Sequence, residues 1–174
     1  PALQNCLREK PYHVLHLIGH GAFDAAEQDG LFFIEDENRH SVRVNGQSLG
    51  ILLRDYRASL QFVLLNICEG ARSAATEPFA GVAQSLIQQG IPAVLAMQSP
   101  ILDSSAAHFA REFYAALADG YPLEAALTEA RKALFASKQN AEWGIPALFS
   151  RASTGHLFHF TRAPLRPAAT LARQ

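Results

Sequence analysis

"HLIGHGAF" occupies His16–Phe23, and "FVLLNICEG" occupies Phe62–Gly70. The first closes the apolar run Tyr12–His20, which lies between Pro11 and the glycines Gly19 and Gly21. A short apolar run bounded in this way reads as a buried β-strand. The second belongs to Leu60–Cys68, another such run, apolar on both faces as parallel strands tend to be. Each run delivers a reactive side chain, His20 or Cys68, and a glycine follows closely.

Outward from these two runs the chain alternates. Gly30–Gly46 reads as two short strands around a polar turn at Glu35–His40. Leu49, Leu52, Leu53 and Tyr56 then recur at helical spacing, with Asn45 as the cap. The polar stretch "EGARSAATEP" precedes a helix that Pro78 opens and Gly90 stops, with Phe79, Val82, Leu86 and Ile87 on its apolar face. Ile91–Met97 is a third buried strand. A helix from Ser104 follows, with Phe109, Phe113 and Leu117 inward. The next helix has Pro122 in its first turn and buries Leu123, Ala126, Leu127, Ala130 and Leu134. "EWGIPALFSR" and "GHLFHF" are expected to close the fold as a turn and a last strand. The alternation predicts an α/β protein: a mostly parallel sheet flanked by helices in a three-layer sandwich. One domain is expected over residues 1–162, with a loose tail at 163–174.

The chain has 174 residues, enough for one full core, and 49% of them are hydrophobic. That balance excludes a disordered chain. Fifteen basic and 16 acidic side chains give a net charge of −1 with no Lys/Arg block, which argues against a nucleic-acid partner. No apolar run is long enough to cross a membrane, and no membrane partner is expected. Two cysteines, Cys6 and Cys68, make no disulfide framework and fit a reducing, cytoplasmic compartment. The first residue is Pro1, so the chain is expected to be a piece of a longer or processed protein. No glycine-rich phosphate loop follows a strand, which argues against a nucleotide-binding domain.

In open parallel sheets, ligands bind beyond the carboxyl ends of the strands. Consecutive parallel strands are commonly neighbours, so His20 and Cys68 are expected at one rim of the sheet. An imidazole beside a thiol can take its proton and so produce the nucleophilic thiolate. Gly21 is expected to turn the chain sharply and bare its N–H. With the N–H of Cys68 it would form an oxyanion hole.

These residues resemble the CHAT domain, a caspase-like family related to separases and caspases. A histidine-glycine pair ends one strand, and a cysteine followed by an acid and a glycine ends the next. His20 and Cys68 stand 48 residues apart, near the caspase spacing. "GLFFIED", "FAGVAQSLIQQGIPAVLAMQSPILDSSA", "YPLEAALTEARKAL" and "EWGIPALF" extend the likeness across about residues 11 to 160. The resemblance implies a caspase-like fold and a cysteine endopeptidase using a Cys-His dyad. Cys68 would be the nucleophile and His20 the general acid/base. Gly21 and Cys68 would supply the oxyanion N–H groups. It implies a protein or peptide substrate, regulation by an upstream sensor domain, and no metal or organic cofactor. The alternative function is an inactive caspase-like interaction module. The fold normally has strands before the histidine strand, and this chain begins only a few residues ahead of it.

Asp103 in "QSPILDSS" has two readings. One is a helix N-cap. The other follows from the separase likeness: an acid in a pocket for a basic side chain before the scissile bond. His16 and His20 share a strand face while His13 points away, so the three do not converge on a metal, and His16 is read as a core residue. His108, His156 and His159 receive no role. Asn66 shares a face with Cys68 and is read as positioning the loop. Glu69 is read as solvent-facing or locally bonded, Trp143 as a packing anchor, and Cys6 as structural or incidental.

Overall fold

A computed structural model of the protein describes residues 2–24, 29–35, 40–69, 78–137 and 140–158. In chain order the elements are α1 (Ala2–Glu9), β1 (Val14–Asp24), β2 (Asp29–Glu35), β3 (Ser41–Asn45), α2 (Gly46–Arg54) and β4 (Phe62–Glu69). There follow α3 (Pro78–Gln88), β5 (Ala93–Met97), α4 (Asp103–Ala118), α5 (Leu123–Ala136), a 3-10 turn (Asn140–Gly144) and β6 (Pro146–Ser150). The strands form one sheet in the order β3-β2-β1-β4-β5-β6. Its centre, β1-β4-β5, is parallel, while β2, β3 and β6 run antiparallel to their neighbours.

Strand alternation sorts the core into two layers. From β4 and β5, Phe62, Leu64, Ala93, Leu95 and Met97 pack with Phe109 and Phe113 of α4 and Leu127 and Leu134 of α5. Val63, Leu65, Ile67, Val94 and Ala96 pack on the other face with Leu49 and Leu53 of α2 and Val82 and Leu86 of α3. Burying each large apolar side chain contributes about 1.5–3 kcal/mol. The expected α/β sandwich of three layers is therefore the observed fold.

Local signals set several helix ends. The Asn45 side chain accepts from the Ser48 N–H at 2.8 Å and caps α2. Gly90, at φ +101°, ends α3, with the Ile91 N–H returning to the Leu86 carbonyl at 3.1 Å. Pro122 is the N-cap of α5 and not part of its first turn.

Four further features differ from the sequence reading. First, β1 does not turn at Gly21. It continues to Asp24, because Gly21 is paired to Glu69 on one side and Phe32 on the other, which holds it extended. Second, β6 is "PALFS", and residues 155–158 of "GHLFHF" are irregular. Third, α1 was not expected; it is amphipathic, with Leu7 buried, Leu3 packed against the same core layer and Cys6 exposed. Fourth, Trp143 is 43% exposed and meets Phe135, itself 69% exposed, edge to face, so it anchors no core. The polar stretch after Glu69, most of the turn at Glu35–His40 and the tail at 163–174 lie outside the described residues.

Candidate active site

Strands β1 and β4 are parallel neighbours from Val14↔Phe62 to Gly21↔Glu69, and His20 is the Cα partner of Cys68. Adjacent strands lie about 4.8 Å apart, so the pairing brings together two backbone positions remote in sequence. The β4–β5 ladder is shorter and stops at Leu65↔Ala96. Residues from Asn66 to Glu69 therefore extend past the pairing with β5. Here the chain leaves β5, crosses residues 98–102 and enters α4.

The space between β1, the end of β4 and the first turns of α4 is a cavity of about 280 Å³. His16, Ile18, Gly19 and His20 line it from β1, and Asn66 from β4. From α4 come Asp103, Ala106, Ala107 and Ala110, at i, i+3, i+4 and i+7 on one helical face. The three alanines keep that face low and leave room for an occupant. A smaller space of about 50 Å³ opens between β1 and β2 below Gly21, where their ladder ends at Gly21↔Phe32.

Asp103 is exposed and stands in the first turn of α4, but it is not the N-cap; that residue is Leu102, whose side chain cannot cap. The cap comes from Glu142 in the 3-10 turn. Its Oε1 accepts from the Leu102 N–H at 3.0 Å, and its Oε2 accepts from the hydroxyl of the fully buried Ser105. The Gln98 N–H also donates to the Ile145 carbonyl at 3.0 Å. The 142–145 segment thus holds both ends of the connection that brings Asp103 to the cavity. The helix N-terminus in turn favours carboxylates.

The cavity floor is polar and unusual. Asn66 is 8% exposed, yet its Oδ1 has no hydrogen-bond partner, and the buried His16 Nε2 also has none. The His16 ring lies 5.8 Å from that of Tyr114, whose buried hydroxyl is likewise unpartnered. A buried polar atom left without a partner costs about 1–3 kcal/mol. Burial lowers the His16 pKa below its usual 6.5 and raises that of Tyr114 to about 12. Both side chains are therefore uncharged at neutral pH.

The structure brings His20, exposed on the sheet, and Asp103 into one cavity, with the backbone of Cys68 beside His20. Gly21 is buried one position beyond His20. His13 turns elsewhere, its Nδ1–H donating to the Ser59 carbonyl at 3.0 Å. Among the described residues, no three His, Cys, Asp or Glu side chains gather where a metal ion could bind. Also among the described residues, no helix is long and apolar enough to cross a membrane. The sequence reading missed the alanine face of α4, although its spacing was visible. It also missed Glu142 and the cavity-facing roles of His16 and Asn66.

No curated protein matches the chain. The family model for the CHAT domain matches residues 1–167, nearly the whole sequence. The chain therefore belongs to the CHAT domain family, a caspase-like family related to the clan CD cysteine peptidases.

Proposed function

We propose that the protein is a cysteine endopeptidase module with Cys68 as nucleophile and His20 as general acid/base. The observation that carries this reading is the register pairing of His20 with Cys68 at the rim of a parallel sheet, beside a cavity that His20 lines. By strand alternation, position 68 belongs to the same face of β4 as Asn66, the face on which that cavity lies.

In the proposed reaction His20 takes the thiol proton and the sulfur attacks the peptide carbonyl carbon. A C–S bond forms and the carbonyl electron pair moves to oxygen, which the Cys68 N–H stabilises, with the Gly21 N–H as second donor once the strand pairing that holds Gly21 extended has opened. The tetrahedral intermediate collapses, the C–N bond breaks, and His20 passes its proton to the departing amine. Water, deprotonated by His20, then attacks the thioester and releases the acid and the thiol. All groups come from the chain, the substrate and water. Asp103 is proposed to face a basic side chain just before the scissile bond, by charge complementarity. We further propose that the domain is the effector of a larger regulated signalling protein in the cytoplasm.

The test is cleavage of peptides with Arg or Lys before the scissile bond, together with labelling by a peptidyl electrophile. An active dyad labels at Cys68 far faster than at Cys6 and loses turnover in Cys68→Ala. A non-catalytic interaction module would label both thiols slowly and cut nothing. Full activity of Asp103→Ala on Arg and Lys peptides would remove Asp103 from the substrate pocket.

A further inference from the structure

The outer edge of β6 takes no part in the dyad chemistry. β6 is the last strand of the sheet, and among the described residues no strand lies beyond it. Its register fixes which groups face outward. The Gln98 N–H donates to the Ile145 carbonyl and the Arg151 N–H to the Pro92 carbonyl, just beyond the two ends of the β5–β6 ladder. Antiparallel bonding alternates, so between those points Ala147 and Phe149 bond to β5. Pro146, Leu148 and Ser150 therefore turn their backbone groups away from the sheet. Pro146 has no N–H to offer, which leaves the N–H and C=O groups of Leu148 and Ser150 as a short pairing edge. The strand, "PALFS", carries no charged side chain of the kind that commonly guards an edge.

Two features flank that edge. Phe135 near the end of α5 and Trp143 in the 3-10 turn form an exposed aromatic pair. One turn before Phe135, on the same face of α5, stands the half-buried Arg131. Its Nη2–H donates to the outward-facing Pro146 carbonyl, so the guanidinium sits at the β6 edge. Its buried Nε has no acceptor, and among the described residues no carboxylate pairs with it. A half-buried cation without a counter-ion favours an incoming acid. Aromatic and arginine side chains together are the composition of binding hot spots.

We propose that the β6 edge is the docking site for an extended acidic segment of a partner protein. The segment adds a strand to the sheet by pairing with Leu148 and Ser150, lays an apolar side chain on Phe135 and Trp143, and sets a carboxylate on Arg131. Charge complementarity selects this occupant. Neither β6 of a second copy nor residues 159–174, with three arginines and no Asp or Glu, brings an acid. The proposal does not depend on the peptidase reading.

The test is the binding of two fluorescein-labelled heptapeptides to the full chain, followed by fluorescence anisotropy. One alternates threonine and valine around a central tyrosine and ends in two glutamates; its twin ends in two glutamines. The acidic peptide is expected to bind at least about five-fold more tightly. Arg131→Gln should bring the two peptides within about two-fold of each other. Ser150→Pro removes an outward N–H but no bond to β5, as Pro146 does naturally, and should weaken both peptides at least about five-fold. Hydrogen exchange on the native protein reads the pairing without any variant. The peptide should slow exchange at the Leu148 and Ser150 amides and leave those of Ala147 and Phe149, already bonded to β5, nearly unchanged. Equal binding of the twins, protection at other amides only, or no binding up to about 1 mM peptide would overturn the proposal. So would sedimentation showing a dimer that Ser150→Pro dissociates, because a second copy would then own the edge.

Discussion

His20 and Cys68 are Cα partners in the parallel ladder of β1 and β4, one pair before the ladder ends at Gly21 and Glu69. This pairing underlies the proposed dyad. His20→Ala is expected to lower peptide cleavage by about a thousand-fold or more, the scale seen when one member of a catalytic unit is lost. Its side chain is exposed, so the thermal midpoint should stay within about 2 °C of the native value. Steady-state kinetics and calorimetry on the same preparation check both halves; cleavage at the native rate would exclude His20 from the chemistry.

The alanine face of α4 should control access to the cavity. Ala107 is exposed and Ala110 half-buried, and both line that space. Ala107→Phe or Ala110→Leu should fill it without disturbing Phe109 and Phe113 in the core beneath. We expect KM for peptides to rise by about ten-fold. Labelling of Cys68 by iodoacetamide, which is small, should hardly change. An unchanged KM would mean that the peptide binds elsewhere.

Glu142 joins the 3-10 turn to the start of α4. Glu142→Ala removes the acceptor for both the Leu102 N–H and the buried Ser105 hydroxyl. Loss of such a cap costs about 1–2 kcal/mol, which shifts the midpoint of a domain this size by a few degrees. Glu142→Gln keeps an acceptor and should lose less. Thermal melts of the two variants compare them directly.

His16 predicts a pH dependence of stability. Burial lowers its folded pKa below 6.5, so between the folded and unfolded values the unfolded chain binds more protons. Stability from this group is complete above about pH 6.5 and falls as the pH drops through the folded pKa. Urea midpoints at pH 7.5 and 5.5 should differ more in the native protein than in His16→Leu. Equal differences in the two proteins would show that His16 does not carry the effect.

Much of this was legible in the sequence, for physical reasons tied to particular residues. Leu60–Cys68 and Ile91–Met97 read as strands because both faces are apolar, and the core confirms it. Asn45 and Gly90 mark helix ends through local chemistry. What was illegible depends on distant contacts. Gly21 looks like a turn glycine until strands on both sides hold it extended. Asp103 looks like an N-cap because its true substitute, Glu142, arrives from a segment far along the chain. Trp143 looks like core because aromatic size alone says nothing of exposure. Asn66 and His16 become interesting only once their unpartnered atoms are seen under one cavity.

The central claim is that His20 activates Cys68, and thiol labelling tests it most directly. The measurement is the rate of iodoacetamide alkylation at Cys68 and at Cys6 near neutral pH, in the native protein and in His20→Ala. Cys6, exposed on α1, serves as the internal reference. The dyad predicts that Cys68 reacts at least about ten-fold faster than Cys6, and that His20→Ala removes the advantage while leaving Cys6 unchanged. Equal rates at the two thiols, or a fast Cys68 that is indifferent to His20→Ala, would contradict it.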